Sequence, residues 1–296
     1  MAYSEELKAH LASGCTTLAR AWAIARADGR VLGFTDHDVG LSFEGVDFEP
    51  DSGMTAKAIA RGTGLSVDNS ESYGALSSAA ISEADILAGR YDGAEVTAWL
   101  VNWADVSERA MLFRGSIGEV TRAAGAFTAE LRGLTEALGI EQGRIYHPRC
   151  AAVLGDGRCR FDLGTNGYAL EIAAETVEEG RVFGFASVAG FEDRWFEKGR
   201  FRVLSGAAAG LIGVIKNDRV SGAGARTVEL WQRLGAEVAA GDMVRLEAGC
   251  DKRADTCRLK FDNFLNFRGF PHIPGEDWLV SYPVQSGAND GGSLFA

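Results

Sequence analysis

The sequence predicts a mainly β fold, a β-rich α+β chain. It reads as several antiparallel barrel- or sandwich-like domains with few short helices and a cysteine-clustered C-terminal region. Three observations predict this. Glycine is abundant and proline scarce, 38 against 5 in 296 residues. Short alternating apolar runs recur between Gly- and Asp-containing turn signals, the pattern of hairpins. Four of the five cysteines fall in two close pairs, Cys150 with Cys159 and Cys250 with Cys257.

Each element has a local reason. Ser4 is placed to cap a helix running to Leu11, with Leu7 and Leu11 on one face. From Thr17 to Ala27, Leu18, Arg20, Trp22, Ile24 and Arg26 alternate with small alanines, as in a strand. Asp28-Gly29 is a two-residue hairpin signal, and Val31 to Thr35 returns as a strand. Leu41 to Phe48 repeats the pattern around Glu44-Gly45, so the first fifty residues read as an antiparallel meander. Residues 50–72 are small and polar and predict a loop. Ser82 to Ala88 predicts a short helix, Asp92-Gly93 a turn, and Ala94 to Trp103 a strand buried on both faces or packed at an interface. Met111 to Thr121 and Phe127 to Arg132 form a hairpin pattern around Gly125, followed by a short helix at Leu134 to Leu138.

Beyond Cys159 the pattern returns to β. Strands are predicted at Tyr168–Thr176, Arg181–Val188, Arg200–Leu204, Ala208–Asn217 and Arg226–Leu230, with a turn from Ser221 to Gly224. Val244 to Leu246 leads into the second cysteine pair. Phe261 to Trp278 is aromatic and turn-rich, and Ser286 to Ala296 reads as a flexible tail. The domain organisation that follows is a β-rich domain over 1–140, a first cysteine segment over 141–165, and a second β-rich domain or insertion over 166–247. The second cysteine pair and an aromatic seal then occupy 248–285, and the tail 286–296.

The net charge of -11 argues against broad phosphate-backbone binding, so no nucleic-acid partner read by base contacts is expected. The charge leaves room for a local basic patch, and Arg144, Arg149, Arg158 and Arg160 form one that suits anionic groups or, equally, neutralises thiolates and the negative charge of a metal cluster. No stretch reaches the roughly 20 apolar residues of a membrane helix, so no membrane anchor is expected. The first residues are acidic where a secretory signal needs a basic region, which predicts assembly in a reducing cytoplasm.

Four thiolates on one site suit a tetrahedral zinc or an iron–sulfur cluster. Cys150 and Cys159 are spaced C-x8-C, and Cys250 and Cys257 C-x6-C. Neither has the short C-x2-4-C form common in zinc sites, which leans towards a cluster. Both pairs lie in polar, Gly-containing stretches where a cysteine is poor core filler. Two local disulfides and four inert thiols are the alternatives, and disulfides fit a reducing compartment badly. Cys15 reads as a small buried hydrophobe. Asp36-His37-Asp38 is the nearest approach to a catalytic cluster, but strand alternation puts His37 opposite its neighbours, and a structural or turn role is the better reading. No nucleotide loop, nucleophile elbow or zinc-protease helix is present, and no catalytic residue is assigned. The run Asn263 to Gly275 carries Phe264, Phe267 and Phe270 with Pro271 and Pro274, a segment suited to sealing a cluster or plugging a loop.

These residues carry a family resemblance. Pro148-Arg149-Cys150, Leu154-Gly155-Asp156 and Cys159 resemble a first cysteine pair. Ala248 to Cys257, Phe261 with Asn263, and Asn266 to Gly275 resemble a C-terminal signature. Phe34 to Asp38 and Leu112 to Gly115 match the N-terminal part. The whole is similar to the baseplate hub proteins of siphophage-type tails and gene transfer agents, and in cysteine spacing to the tail-tip protein L of lambda-like phages. The resemblance implies a virion structural protein with no enzymatic turnover, built of tail-hub domains and present in the released particle. It implies a homotrimer at the distal end of the tail, joining a ring of distal tail proteins to a large central tip or fibre protein. It implies a [4Fe-4S] cluster on Cys150, Cys159, Cys250 and Cys257. The rival functions are a tip-associated hydrolase, a redox carrier and a zinc-stabilised structural protein.

Overall fold

The computed structural model describes residues 3–50, 74–76, 81–123, 126–134, 139, 143–222 and 224–273. The loop expected within 51–72, residues 135–138 of an expected helix, Gly125 and the tail 286–296 lie outside them. The chain is mainly β with few short helices, as the sequence predicts. It divides into two compact units. One comprises 1–142, 202–212 and 233–242; the other comprises 143–201, 213–232 and 243–296.

Unit 1 begins with α1 (Glu5–Ala12), capped where Ser4 Oγ accepts from Leu7 N at 3.2 Å. Its strands are β1 (Leu18–Ala25), β2 (Val31–Thr35), β3 (Leu41–Phe43), β4 (Val46–Pro50), β5 (Gly74–Leu76), β6 (Glu95–Asn102), β7 (Arg109–Ala123) and β8 (Ala126–Gly133). They form one sheet in the order β3-β4-β2-β1-β6-β7-β8-β5. The short helix α2 (Glu83–Leu87) is capped by Ser82, whose Oγ accepts from Asp85 N at 3.1 Å.

The central strands β1 and β6 are buried on both faces. Trp22, Ile24, Val96 and Ala98 face Phe34, Ile117 and Leu131 on one side. Ala21, Ala23, Trp99 and Val101 face Leu41, Phe43 and Phe48 on the other. The alanines of β1 are therefore interior residues that let bulky partners approach, where simple alternation had cast them as spacers. Each large apolar side chain so buried contributes about 1.5–3 kcal/mol.

Two turns refine the sequence reading. The β1–β2 loop holds three residues, Ala27 to Gly29, closed by Arg26 N to Arg30 O at 2.9 Å with Gly29 at φ +88°. It is a turn with a glycine bulge, not a two-residue hairpin. The β3–β4 turn is a true two-residue hairpin, with Glu44 at φ 52° and Gly45 at φ 75°. The expected meander is broken at the next step, because β2 pairs with β4 in parallel, Gly33 opposite Phe48. Residues 36–40 carry the chain past β4, so β3 lies at the sheet edge. Gly33 permits the pairing: a Cβ there would lie 2.4 Å from Asp47 O.

The second sheet contains β9 (Ala169–Ala173), β10 (Thr176–Glu178), β11 (Val182–Phe185), β12 (Arg200–Val203), β13 (Ile212–Val220), β14 (Arg226–Leu230) and β15 (Met243–Glu247). Their order is β10-β11-β14-β13-β12-β15-β9. Residues 208–211, expected as strand, instead close a turn, with Ala209 N on Gly206 O and Leu211 N on Ala208 O. Gly206 and Gly210, both at positive φ, set that turn and delay β13. The pairing that matters for the site is β9 with β15, antiparallel, Ala169 opposite Glu247. It places the chain leaving Cys159 beside the chain entering Cys250.

One charged pair lies wholly inside unit 2. Arg226 Nη1 donates to both carboxylate oxygens of Asp218, at 2.8 and 3.1 Å, and both side chains are fully buried. Arg226 Nη2 also donates to Phe191 O and Glu192 O, and Asp218 accepts from Phe196 N at 2.8 Å. Burial pushes the Asp218 carboxyl up and the Arg226 guanidinium down, against the pairing. The hydrogen bonds hold the charges in place and fix the 191–196 turn on β13 and β14. Asp218→Asn leaves a buried guanidinium without its counter-charge and is expected to lower unfolding free energy by about 3–5 kcal/mol. The double change Asp218→Leu with Arg226→Met is expected to lie closer to wild type, as chemical denaturation of the three proteins would read.

Candidate metal centre

The four paired cysteines lie in unit 2, on segments that β9 and β15 deliver to one end of their sheet. Tyr168, just before β9, accepts from Ala248 N, just after β15, at 2.8 Å. Cys150 and Cys250 are then stitched together: Cys150 N donates to Lys252 O at 2.8 Å, and Lys252 Nζ donates to Ala152 O at 2.6 Å. Lys252 adopts φ 67° to present both groups, and Arg160, next to Cys159, adopts φ 57°. Left-handed backbone at non-glycine residues is costly and tends to mark functional loops.

Asp156 shapes the first cysteine loop. Its carboxylate accepts from Cys159 N at 2.6 Å, Val153 N at 2.9 Å and Arg158 N at 2.9 Å. The bond from Cys159 N is the main cause holding Asp156 below the usual carboxylate range. Cys257 sits on α3 (Ala254–Leu259), a helix the sequence reading took for loop. The available signal was Asp255 in its first turn and Arg258 in its last, the charge order of a short helix.

The segment after α3 closes over the first pair. Asn263 Nδ2 donates to Cys159 O at 2.7 Å and lies 3.5 Å from Cys159 Sγ. Cys257 Sγ donates to Asn263 O at 3.3 Å. Arg268 N points at Cys150 Sγ, 3.4 Å away, and Arg268 O accepts from Ala151 N. Gly269 allows this approach, since a Cβ there would meet Arg149 O at 2.7 Å. The sulfurs are thus clasped by Asn263 and backbone amides. Of the rings expected as the seal, Phe264 stacks on Phe267 at 5.5 Å and Phe270 packs tilted against Tyr146 at 4.7 Å. Leu265 between them is 97% exposed.

The thiols feel one another. Burial first, and then Cys250, Cys150 and Cys159, together push Cys257 up to about 11. Burial also raises Cys250, with Cys150 adding to the effect. Cys257 is buried and the other three are half-buried. A cavity of about 70 Å³, room for water, borders Cys250, Lys198, Arg200 and Lys252. Among the described residues no three His, Cys, Asp or Glu side chains are arranged to hold a single metal ion.

The remaining candidates lie elsewhere. Cys15 is exposed in unit 1, not a buried hydrophobe, in the turn after α1 where Ser13 Oγ bonds its carbonyl. Asp36 accepts from Arg20 N at 2.6 Å, and His37 packs on Trp103 with ring centroids 4.8 Å apart. His37 Nδ1 accepts from Val39 N at 3.0 Å. This is a side-chain-braced bend.

Comparisons with known proteins cover both halves. A family model described as the baseplate hub protein, N-terminal attachment domain, matches residues 4–162. A second, described as phage conserved hypothetical protein BR0599, matches residues 194–277. Among solved structures, a chain of the "Virion of native gene transfer agent (GTA) particle" is similar at 77% identity and a TM-score of 0.91, over 99% of this chain and 100% of that one. No curated protein matches.

The thiol geometry has a pH consequence for the metal-free chain. Folded Cys257 holds its proton to about 11, above the ordinary thiol value of 9.0. The unfolded chain therefore loses that proton first as pH rises. The stability Cys257 contributes is complete below the ordinary thiol range and is lost as pH climbs through about 11. Chemical denaturation across that window is expected to show the loss, and Cys257→Ser to flatten it.

Proposed function

The chain belongs to the baseplate hub protein family, it is a structural tail hub protein, and from that premise we propose the place it takes and what its cysteines do. It sits in the tail tip of a phage-like gene transfer particle. There it forms a homotrimer that joins the ring of distal tail proteins to the large central tip protein. The match along nearly the whole chain to a protein of a gene transfer agent virion carries this reading. Among the described residues no helix is long and apolar enough to cross a membrane.

Cys150, Cys159, Cys250 and Cys257 together hold a [4Fe-4S] cluster. The supporting observation is that charge on each of the other three thiols bears on Cys257 although two remote segments supply them. The donor set is all sulfur, which suits iron–sulfur chemistry or zinc. A single zinc with bonds of about 2.3 Å needs its sulfurs about 3.8 Å apart. The C-x8-C and C-x6-C spacings, longer than the short knuckles common in zinc sites, favour the cluster. The cluster supplies strong bonds between thiolates and iron. The chain's residues supply the frame: Asp156 and Asn263 orient Cys159, Lys252 ties Cys150 to the Cys250 loop, and α3 presents Cys257. In structural zinc sites such coupling is worth roughly 10–16 kcal/mol of folding free energy, comparable with the whole stability of a domain.

Anaerobic purification followed by an absorption spectrum and metal analysis tests the centre. The expected outcome is a brown protein with about four irons and matching sulfide per chain. One zinc per chain and no iron would replace the cluster with zinc, and neither metal would remove the centre. Cys250→Ser is expected to yield particles with fewer or defective tips, counted by electron microscopy and by gene delivery. Wild-type tip counts from that variant would contradict the structural role.

A further inference from the structure

We infer that Lys260 is a positioning residue of the sulfur site, a half-buried ammonium that pre-assembles the Cys250 loop and the Cys257 helix before any metal arrives. The inference rests on the four cysteines forming one centre. Lys260 follows α3 directly, and its N–H donates to Thr256 O at 3.0 Å, closing the helix that carries Cys257. Its side chain then turns away. Nζ donates to Gly249 O at 3.0 Å, the carbonyl next to Cys250, and to Trp195 O at 2.6 Å. The carbonyl of Lys260 accepts from Tyr168 Oη at 2.7 Å, on the segment that leaves Cys159. One residue therefore joins α3, the loop after β15, the 192–197 turn and the entry to β9.

The nitrogen is also held electrostatically. It lies 4.1 Å from the Trp195 ring centroid and 5.5 Å from that of Phe261. Its hydrogen-bond acceptors are carbonyls rather than carboxylates, so no bonded partner cancels its charge. Burial pulls Lys260 down to about 8, while Cys250, Asp218 and Asp251 pull it back up. A cation so placed favours the ionised form of Cys250, which burial otherwise resists. A residue present only to fill space would need neither donors nor charge, and methionine would serve. The rings beneath support the frame: Phe161, Tyr168 and Phe261 pack edge-to-face or stacked within 5.6 Å.

The test uses the full-length metal-free chain, alkylated with iodoacetamide and read cysteine by cysteine by mass spectrometry. In Lys260→Met, Cys250 and Cys257 are expected to react about tenfold faster per thiolate than in wild type, the thiolate fraction being taken from each protein's rate–pH profile because loss of the ammonium itself raises the thiol pKa, and tenfold is the scale of a lost charge-assisted hydrogen bond. Exposed Cys15 serves as the reference and is expected to be unchanged. Lys260→Arg, which keeps two donors and the ring contact, is expected to restore most of the protection. Equal rates in Met and wild type, or an Arg variant no better than Met, would overturn the inference. Should Lys260→Met lose its sheet by circular dichroism, Lys260→Gln carries the same comparison. Acceleration at all four site cysteines with loss of the sheet in both variants makes Lys260 a general core residue and also overturns it. Metal uptake by wild type is measured separately. A chain that binds neither iron nor zinc yet shows Lys260-dependent protection upholds the clamp and sinks the cluster.

Discussion

Glu247 stands opposite Ala169 where β15 pairs with β9, and the cysteine site depends on that antiparallel register. The pairing sets the start of β9 and the end of β15 at the same edge of one sheet. Cys159 lies ten residues before the first and Cys250 three residues after the second. From there short hydrogen bonds complete the assembly: Ala248 N to Tyr168 O, Cys150 N to Lys252 O, Asn263 Nδ2 to Cys159 O. A one-residue slip in β15 would turn every side chain on it to the other face. It would carry Val244 and Leu246 out of the core and move Cys250 with them.

The site that results resists ionisation when empty of positive charge. Four thiols share a poorly solvated region, and burial together with their mutual repulsion keeps Cys257 protonated far above the ordinary range. The surroundings answer with basic residues. The stretches 144–160 and 250–268 hold nine Lys and Arg against four Asp and Glu, in a chain whose net charge is -11. Most of these cations are committed to backbone carbonyls or to local carboxylates: Arg158 to Ala151 O and Asp156, Lys252 to Ala152 O, Lys260 to Gly249 O and Trp195 O. They set loop geometry and local potential together. The Asp218–Arg226 pair does similar work one layer deeper, by fixing the turn that offers Trp195 to Lys260.

Local signals made most of the elements legible. Ser4 and Ser82 cap helices because a side-chain oxygen before an apolar run has one useful thing to do. Glu44-Gly45 made a two-residue hairpin because both positions tolerate positive φ there. The two-faced burial of β6 was readable from its continuous apolar run. What was illegible is non-local. The parallel pairing of β2 with β4 depends on Gly33 meeting Asp47, a contact no window reveals. Helix α3 is too short and too polar to show a period. Asn263 and Lys260 act at the site through contacts with Cys159, Gly249 and Trp195, at sequence separations of 11 to 104 residues. The cysteines themselves stood out because two pairs of a rare, reactive residue in polar loops have few bland explanations.

The stretch between Cys159 and Cys250, about 90 residues, changes how a metal centre would act on this fold. Closing a flexible loop of that length costs about 4 kcal/mol of chain entropy by the usual logarithmic scaling. In this chain the sheet has already met that cost, because β9 and β15 pair whether or not the sulfurs are bridged. What a metal would act on is a set of short segments, each anchored at one end by a strand. A bridge across Cys150, Cys159, Cys250 and Cys257 would therefore stabilise mainly by tightening these segments. A centre bound there would act on a sheet already paired, so metal loss would slacken the 145–160 and 250–273 segments while leaving both sheets standing.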